Sequence, residues 1–278
     1  MPQCPRCQAE IAVDQRRCLQ CGASLSAAAP LEAAPSTPDD RVECPPNRAG
    51  WMAWGVGAAL ALPLYFVPFG SFAAWLFSSL CHEMGHCAAN LLTGSLAFPA
   101  ISLRGHAVAM ATEPIPFARV VIWGALIALA VGAWKRRSWI TTWTTIAIIY
   151  PLIAWPMREV WVLYLGVFGE LVFGGVFLWR AWTGGFTEQP SERPLYAMLG
   201  WLLVQRNLWL GGGLLFSNAA RLRYWENGSF GLTNDLIRIA HDHLGMAIST
   251  AAIPLLLGAL ATPILAWWFG RAYLRSTD

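Results

Sequence analysis

The sequence predicts an all-α polytopic membrane protein of about six to seven transmembrane helices, preceded by a small four-cysteine zinc ribbon. Three observations predict it. Of 278 residues, 56% are hydrophobic and only 13% are charged, where a soluble domain carries roughly 25% charged residues. Apolar runs close to the roughly 20 residues that span a bilayer recur from Trp51 onward. Ahead of them, Cys4, Cys7, Cys18 and Cys21 stand as two C-x-x-C pairs. The 16 tryptophans fit aromatic anchoring at the membrane interface. A net charge of +3 is too weak to point to nucleic acid, so the expected surroundings are the lipid bilayer.

Residues 1–25 form the expected ribbon. Four thiolates at this spacing suit a closed tetrahedral zinc site, and Gly22 permits the tight turn after the second pair. A stretch this short and this poor in hydrophobes cannot bury a core without a metal. Reduced thiols imply a reducing compartment, so the ribbon is expected on the cytoplasmic side of the cell membrane. Residues 26–49 read as a semi-extended linker, rich in Ala and punctuated by Pro30, Pro35, Pro38, Pro45 and Pro46. No apolar run precedes Trp51, so no cleavable secretory signal is expected there.

Residues 50–278 form the expected transmembrane domain. Its spans are placed at about 51–69, 71–93, 117–134, 139–156, 159–182, 194–217 and 245–270. Pro68-Phe69-Gly70 separates the first two, which could form a tight hairpin. Residues 94–116 alternate loosely, with Gly and Pro breaks, and read as an irregular loop or short hairpin at the membrane surface. An edge strand there could pair with an extended peptide. His106, within it, reads as a solvated loop histidine. A cytosolic N-terminus puts 94–116 and 218–244 on the cytosolic side. Arg119, Arg158, Arg221, Arg223 and Arg238 agree with that orientation, and Lys135-Arg136-Arg137 opposes it.

The chemistry centres on His82-Glu83-Met84-Gly85-His86, inside the second span. Histidines at i and i+4 lie one above the other on a helix face, and both can reach one zinc ion. Glu83 is placed to act as general base on a zinc-bound water. Such groups are costly in hydrocarbon, which makes them functional candidates. Cys81 and Cys87 flank the motif and read as small buried apolar residues.

A catalytic zinc site takes three protein ligands and a water. Asp235 is the leading third ligand: it lies just before the last span, on the side to which the motif's end of the second span returns. Leu236, Ile237, Ile239, Ala240 and Leu244 form an amphipathic run that could dip into the protein. Asn234 could orient a ligand or hold substrate backbone. His241, Asp242 and His243 read as interfacial polar residues, with His241 kept as an alternative ligand. Glu170, alone in an apolar span, has three possible roles: bracing a ligand histidine, pairing with Arg206, or binding the metal itself. The glycines around it permit close helix approach.

These residues resemble the site-2 protease family of intramembrane zinc metalloproteases. The resemblance rests on the HEMGH motif in an apolar span, the Leu92-Thr93-Gly94 stretch after it, and a distant Asp near a later membrane segment. It implies that His82, His86 and Asp235 bind a catalytic zinc and that Glu83 activates water. The family's usual Asp-Gly pair is here Asp235-Leu236. The expected function is therefore cleavage of a transmembrane protein or peptide. One catalytic zinc would sit in the membrane domain and one structural zinc in the ribbon, which could also engage a protein partner. A non-enzymatic membrane adaptor, with the ribbon as its working module, is the alternative. A metal transporter ranks last, since no internal repeat is visible.

Overall fold

The computed structural model describes residues 46–102, 106–135, 158–187, 189–226 and 234–277. They are mostly helical and belong to one compact unit that begins at Pro45. The ribbon cysteines Cys4, Cys7, Cys18 and Cys21, the linker up to Pro45, and the expected span 139–156 lie outside the described residues.

Helices α1 (Pro46–Leu64) and α2 (Pro68–Leu92) meet at a bend of 111°. The break falls just before Pro68, not across Pro68-Phe69-Gly70 as expected. Proline is well suited to the first turn of a helix, where its missing N–H has no partner to lose, so Pro68 starts α2. Gly70 lets the corner close: a Cβ there would stand 2.8 Å from the Leu64 carbonyl oxygen. Tyr65, in the break, donates to the Leu202 carbonyl at 2.5 Å.

Of the two forms expected for residues 94–116, the hairpin is the one present. Strands β1 (Ala97–Ser102) and β2 (His106–Ala111) pair antiparallel, with Ala97 opposite Ala111 and Ser102 opposite His106. Gly94, at φ 84°, turns the chain out of α2. Pro99 lies opposite Ala109. Having no N–H, it suits a pair that does not exchange ladder hydrogen bonds. Thr112 N–H donates to the Leu96 carbonyl at 2.8 Å, which sets the same alternation. The backbone N–H and C=O of Ala107 and Ala109 therefore face the outer edge of β2, which is free of further strands among the described residues.

The remaining helices are α3 (Pro116–Lys135), α4 (Arg158–Thr183), α5 (Glu192–Phe216), α6 (Asn218–Glu226), α7 (Asp235–Ile237), α8 (Ile248–Ala251) and α9 (Ile253–Thr277), with a π-helical turn over Arg238–His243 after α7. Among the described residues, three stretches are long and apolar enough to cross a membrane: α3, α4 and Ile248–Leu274. The bent α1–α2 pair makes a fourth if it counts as one span. The expected span 194–217 corresponds to α5, which is helical but less apolar than these three. Gln205-Arg206-Asn207 interrupts it, and α5 packs among α1, α4 and α9 with Asn207 fully buried. The stretch 218–244, read as a loop, carries α6, α7 and the π turn. The last long helix starts at Ile253, later than expected.

The core lies where α4 meets α5, α7, the π turn and α9, through Leu163, Val167, Leu171, Leu214, Ile239 and Leu255. Trp54, Leu178, Trp182 and Val204 tie α1 to α4 and α5, and Trp54 Nε1 donates to the Leu178 carbonyl at 2.9 Å. Large apolar side chains also face outward, including Phe69 at 81% and Trp209 at 85% exposure. In water such a surface is an aggregation liability, whereas lipid tails are as apolar as the side chains.

Candidate metal centre

The site begins with glycine. At the α2–α4 crossing, a Cβ on Gly85 would collide with the Leu165 carbonyl and stand 3.0 Å from Gly169 Cα. A Cβ on Gly169 would stand 2.7 Å from Gly85 Cα. The two backbones thus approach with no side chain between them. His82 and His86 flank Gly85 and are carried against α4 by this approach. Gly166 forms the floor beneath them: a Cβ there would collide with the His86 ring and stand 2.9 Å from His82 Nε2.

Asp235 arrives from the other side. Leu236, Ile237, Ile239 and Ala240 are at most 4% exposed and anchor the turn in the core, as the amphipathic run suggested. The Asn234 side chain donates to the Tyr224 carbonyl at 2.7 Å, fastening the start of α7 to α6. Asp235 Oδ2 then stands 2.8 Å from His82 Nε2 and 2.9 Å from His86 Nε2. The two Nε2 atoms are 3.1 Å apart.

Hydrogen bonds on the far sides of the rings set the tautomers. His86 Nδ1 lies 2.9 Å from the Val162 carbonyl, which can only accept. His82 Nδ1 lies 3.1 Å from Glu170 Oε1, a carboxylate oxygen that likewise accepts. In neutral imidazoles both protons therefore sit on Nδ1, and both Nε2 lone pairs point at the Asp235 oxygen. Three acceptors so close repel one another unless a shared proton or a cation lies among them. Their spacing suits ligand atoms about 2.0–2.2 Å from a common ion. His82, His86 and Asp235 form a group that can hold a metal ion. Burial by itself would raise the Asp235 carboxyl, but when the rings carry a proton on Nε2 the hydrogen bonds they donate outweigh burial and hold it well below the ordinary range. It therefore remains a carboxylate, the form that binds a cation.

Glu170 is buried behind His82. Its Oε2 accepts from Ser78 Oγ at 2.5 Å and Asn207 Nδ2 at 3.0 Å, with Arg206 Nη1 at 3.8 Å. Its contacts are thus to His82 and towards Arg206, and it lies outside the metal-holding group. Ser78 and Asn207 escaped the sequence reading. Ser78 precedes His82 by four residues, so it shares its helix face, and that spacing could have flagged it.

Glu83 is 5% exposed and lines the same cavity, about 480 Å³ in volume, with the backbone of Ala109 within reach of its carboxyl. The cavity follows α2 from Trp75 past both histidines to Asn90, with β2 along one wall. His241 does not join the site. The π turn carries its ring against Trp225, with centroids 4.8 Å apart, which removes it as an alternative ligand. His243 pairs instead with Glu159 at 3.6 Å. Cys81 is buried and Cys87 partly so, and neither belongs to the metal-holding group.

Fold and site together define a helical protein with membrane-compatible spans and a His/His/Asp group able to bind metal. Comparison with protein-family models, curated proteins and solved structures finds no match to this chain.

Proposed function

We propose that this chain is an intramembrane zinc metalloendopeptidase of the site-2 protease type, acting on a peptide bond in or near a membrane segment. The observation that carries the proposal is Glu83 in one cavity with His82, His86 and Asp235. Two imidazoles and one carboxylate are a donor set suited to zinc with a position left open. Zinc bound there would polarise the scissile carbonyl and bring the pKa of a water towards neutrality. Glu83 takes the proton of that water and hands it to the leaving nitrogen. Glu170 holds the His82 ring and its tautomer in place.

The free edge of β2 offers the outward N–H of Ala107 and the carbonyls of Ala107 and Ala109 to an extended peptide, while the Ala109 N–H faces Glu83. The substrate would be a transmembrane protein or peptide, locally unwound to reach that edge. The four-cysteine ribbon would hold a second, structural zinc and recruit a protein partner on the cytoplasmic side of the cell membrane. An adaptor with a closed structural zinc site would need a fourth protein ligand. Among the described residues the group has three, and Glu170 and His241 are engaged elsewhere, which favours an open position.

The test is zinc-loaded protein in lipid vesicles with candidate membrane peptides, products read by mass spectrometry. Wild type should cut at defined bonds, and Glu83→Ala should bind zinc yet give no product. Identical products from both proteins would rule the protease out.

A further inference from the structure

Arg206 is a cation that the proposed mechanism leaves unused. It lies on α5, in the wall of the cavity that holds His82, Glu83 and Asp235. Its nearest acidic neighbour, Glu170, is already occupied. Glu170 Oε1 accepts from His82, and Oε2 accepts from Ser78 and Asn207. Arg206 Nη1 stands 3.8 Å from Oε2, an ion-pair distance too long for a hydrogen bond. Nη1 is buried and has no hydrogen-bond partner among the described residues. A guanidinium among apolar helices is costly unless an acceptor meets it. The side chain as a whole is 33% exposed and lines the cavity, so a group in the cavity would meet the exposed part of the guanidinium rather than the buried Nη1. Its planar fork of donors matches a carboxylate.

We propose that Arg206 determines specificity by binding an Asp or Glu side chain of a membrane-spanning substrate, within three or four residues of the scissile bond. This rests on the protease reading above. The register follows from the contact chain His82–Glu170–Arg206. It keeps the guanidinium within about 11 Å of His82 Nε2, the reach of three to four extended residues at about 3.3 Å each. Acidic residues are rare within membrane segments, so a guanidinium that accepts one selects few substrates from a large pool of apolar helices.

The experiment uses the full chain in lipid vesicles and a set of Leu/Ala membrane peptides with a Gly-containing centre. Members differ at one position, which carries Asp, Asn or Lys and is walked through the centre. Zinc-loaded protein is scored for cleavage by mass spectrometry, and metal-free protein for binding by peptide fluorescence. Asp peptides should bind and be cut about tenfold or more better than their Asn partners. The cut should fall within three or four residues of the Asp. Arg206→Gln should bring the Asp/Asn ratio close to one, and Arg206→Glu should shift preference to Lys. Arg206→Lys, which keeps a charge beside Glu170, should retain part of the preference and so guards against a folding artefact. Equal cleavage of Asp and Asn peptides by wild type, or a preference that survives Arg206→Gln, overturns the proposal and leaves proteolysis standing. An Asp preference in binding with no peptide cut supports recognition by Arg206 and overturns proteolysis.

Discussion

Glu170 Oε1 stands 3.1 Å from His82 Nδ1, so a carboxylate on α4 fixes the tautomer of a metal-facing histidine on α2. The same carboxylate is held by Ser78 from α2 and Asn207 from α5, which makes the ring orientation a joint product of three helices. Glu170→Gln should therefore weaken zinc binding by about 10–100-fold, the usual cost of losing such a partner. Competition with a chromophoric chelator measures it. Zinc affinity equal to wild type would mean that the contact does not brace the ring.

Gly166 should tolerate no side chain. Gly166→Ala puts a methyl group into the histidine pair, and zinc stoichiometry should fall while the helical signal persists. Gly85→Ala pushes on the Leu165 backbone at the helix crossing and should lower thermal stability as well. Gly124→Ala and Gly132→Ala, on α3 with nothing within 4 Å among the described residues, should behave as wild type. Zinc content and circular dichroism melting compare all four.

Asp235→Asn should cost more metal than Glu83→Gln. Asp235 contributes a charged oxygen to the group of three, whereas Glu83 stands outside it. Removing the proton carrier should lower turnover by about 10²–10⁴-fold with zinc content near wild type. Metal analysis paired with peptide turnover separates the two. Equal zinc loss in both variants would place Glu83 among the ligands.

Ala107→Pro should weaken substrate binding and leave zinc content unchanged. Ala107 pairs with Ile101, two residues along from the Pro99–Ala109 pair, so its N–H faces the free edge. Proline removes that outward donor without taking a hydrogen bond from the hairpin, as Pro99 does on β1. The readout is a higher KM for membrane peptides with zinc content as a control. An unchanged KM would mean that substrate does not add to this strand.

Stripping the metal with a chelator should abolish cleavage, and zinc should restore it. The helical signal of residues in α1–α9 should change little, since the apolar clusters that hold α4 and α5 together do not include the three ligands themselves. Activity that survives complete removal would exclude the metal from the reaction.

Much of this site was legible because its key spacing is local. His82 and His86 are four apart on a helix, so their shared face follows from helical geometry alone. The descent of Asp235 was readable from the apolar run that follows it, because apolar residues pull their neighbours inward. The exact break between α1 and α2 was not, because Pro68 can both end one helix and start the next. Nor were the helical turns within 218–244, where α6 packs against α5 and the π turn against α4. His241 shows the consequence: by sequence distance it was a ligand candidate, and the π turn directs it to Trp225.

By itself the sequence determined the helical, membrane-compatible character of the chain and the HEMGH pair, since both depend on composition and on periodicity within one element. Only the tertiary structure decided which distant residues meet that pair. Asp235 reaches the two histidines, and Glu170 touches His82 with Ser78 and Asn207 behind it. The physical reason is the glycine-lined crossing of α2 and α4. It sets the distance between two helices separated by 65 residues of chain, a quantity that no local pattern encodes.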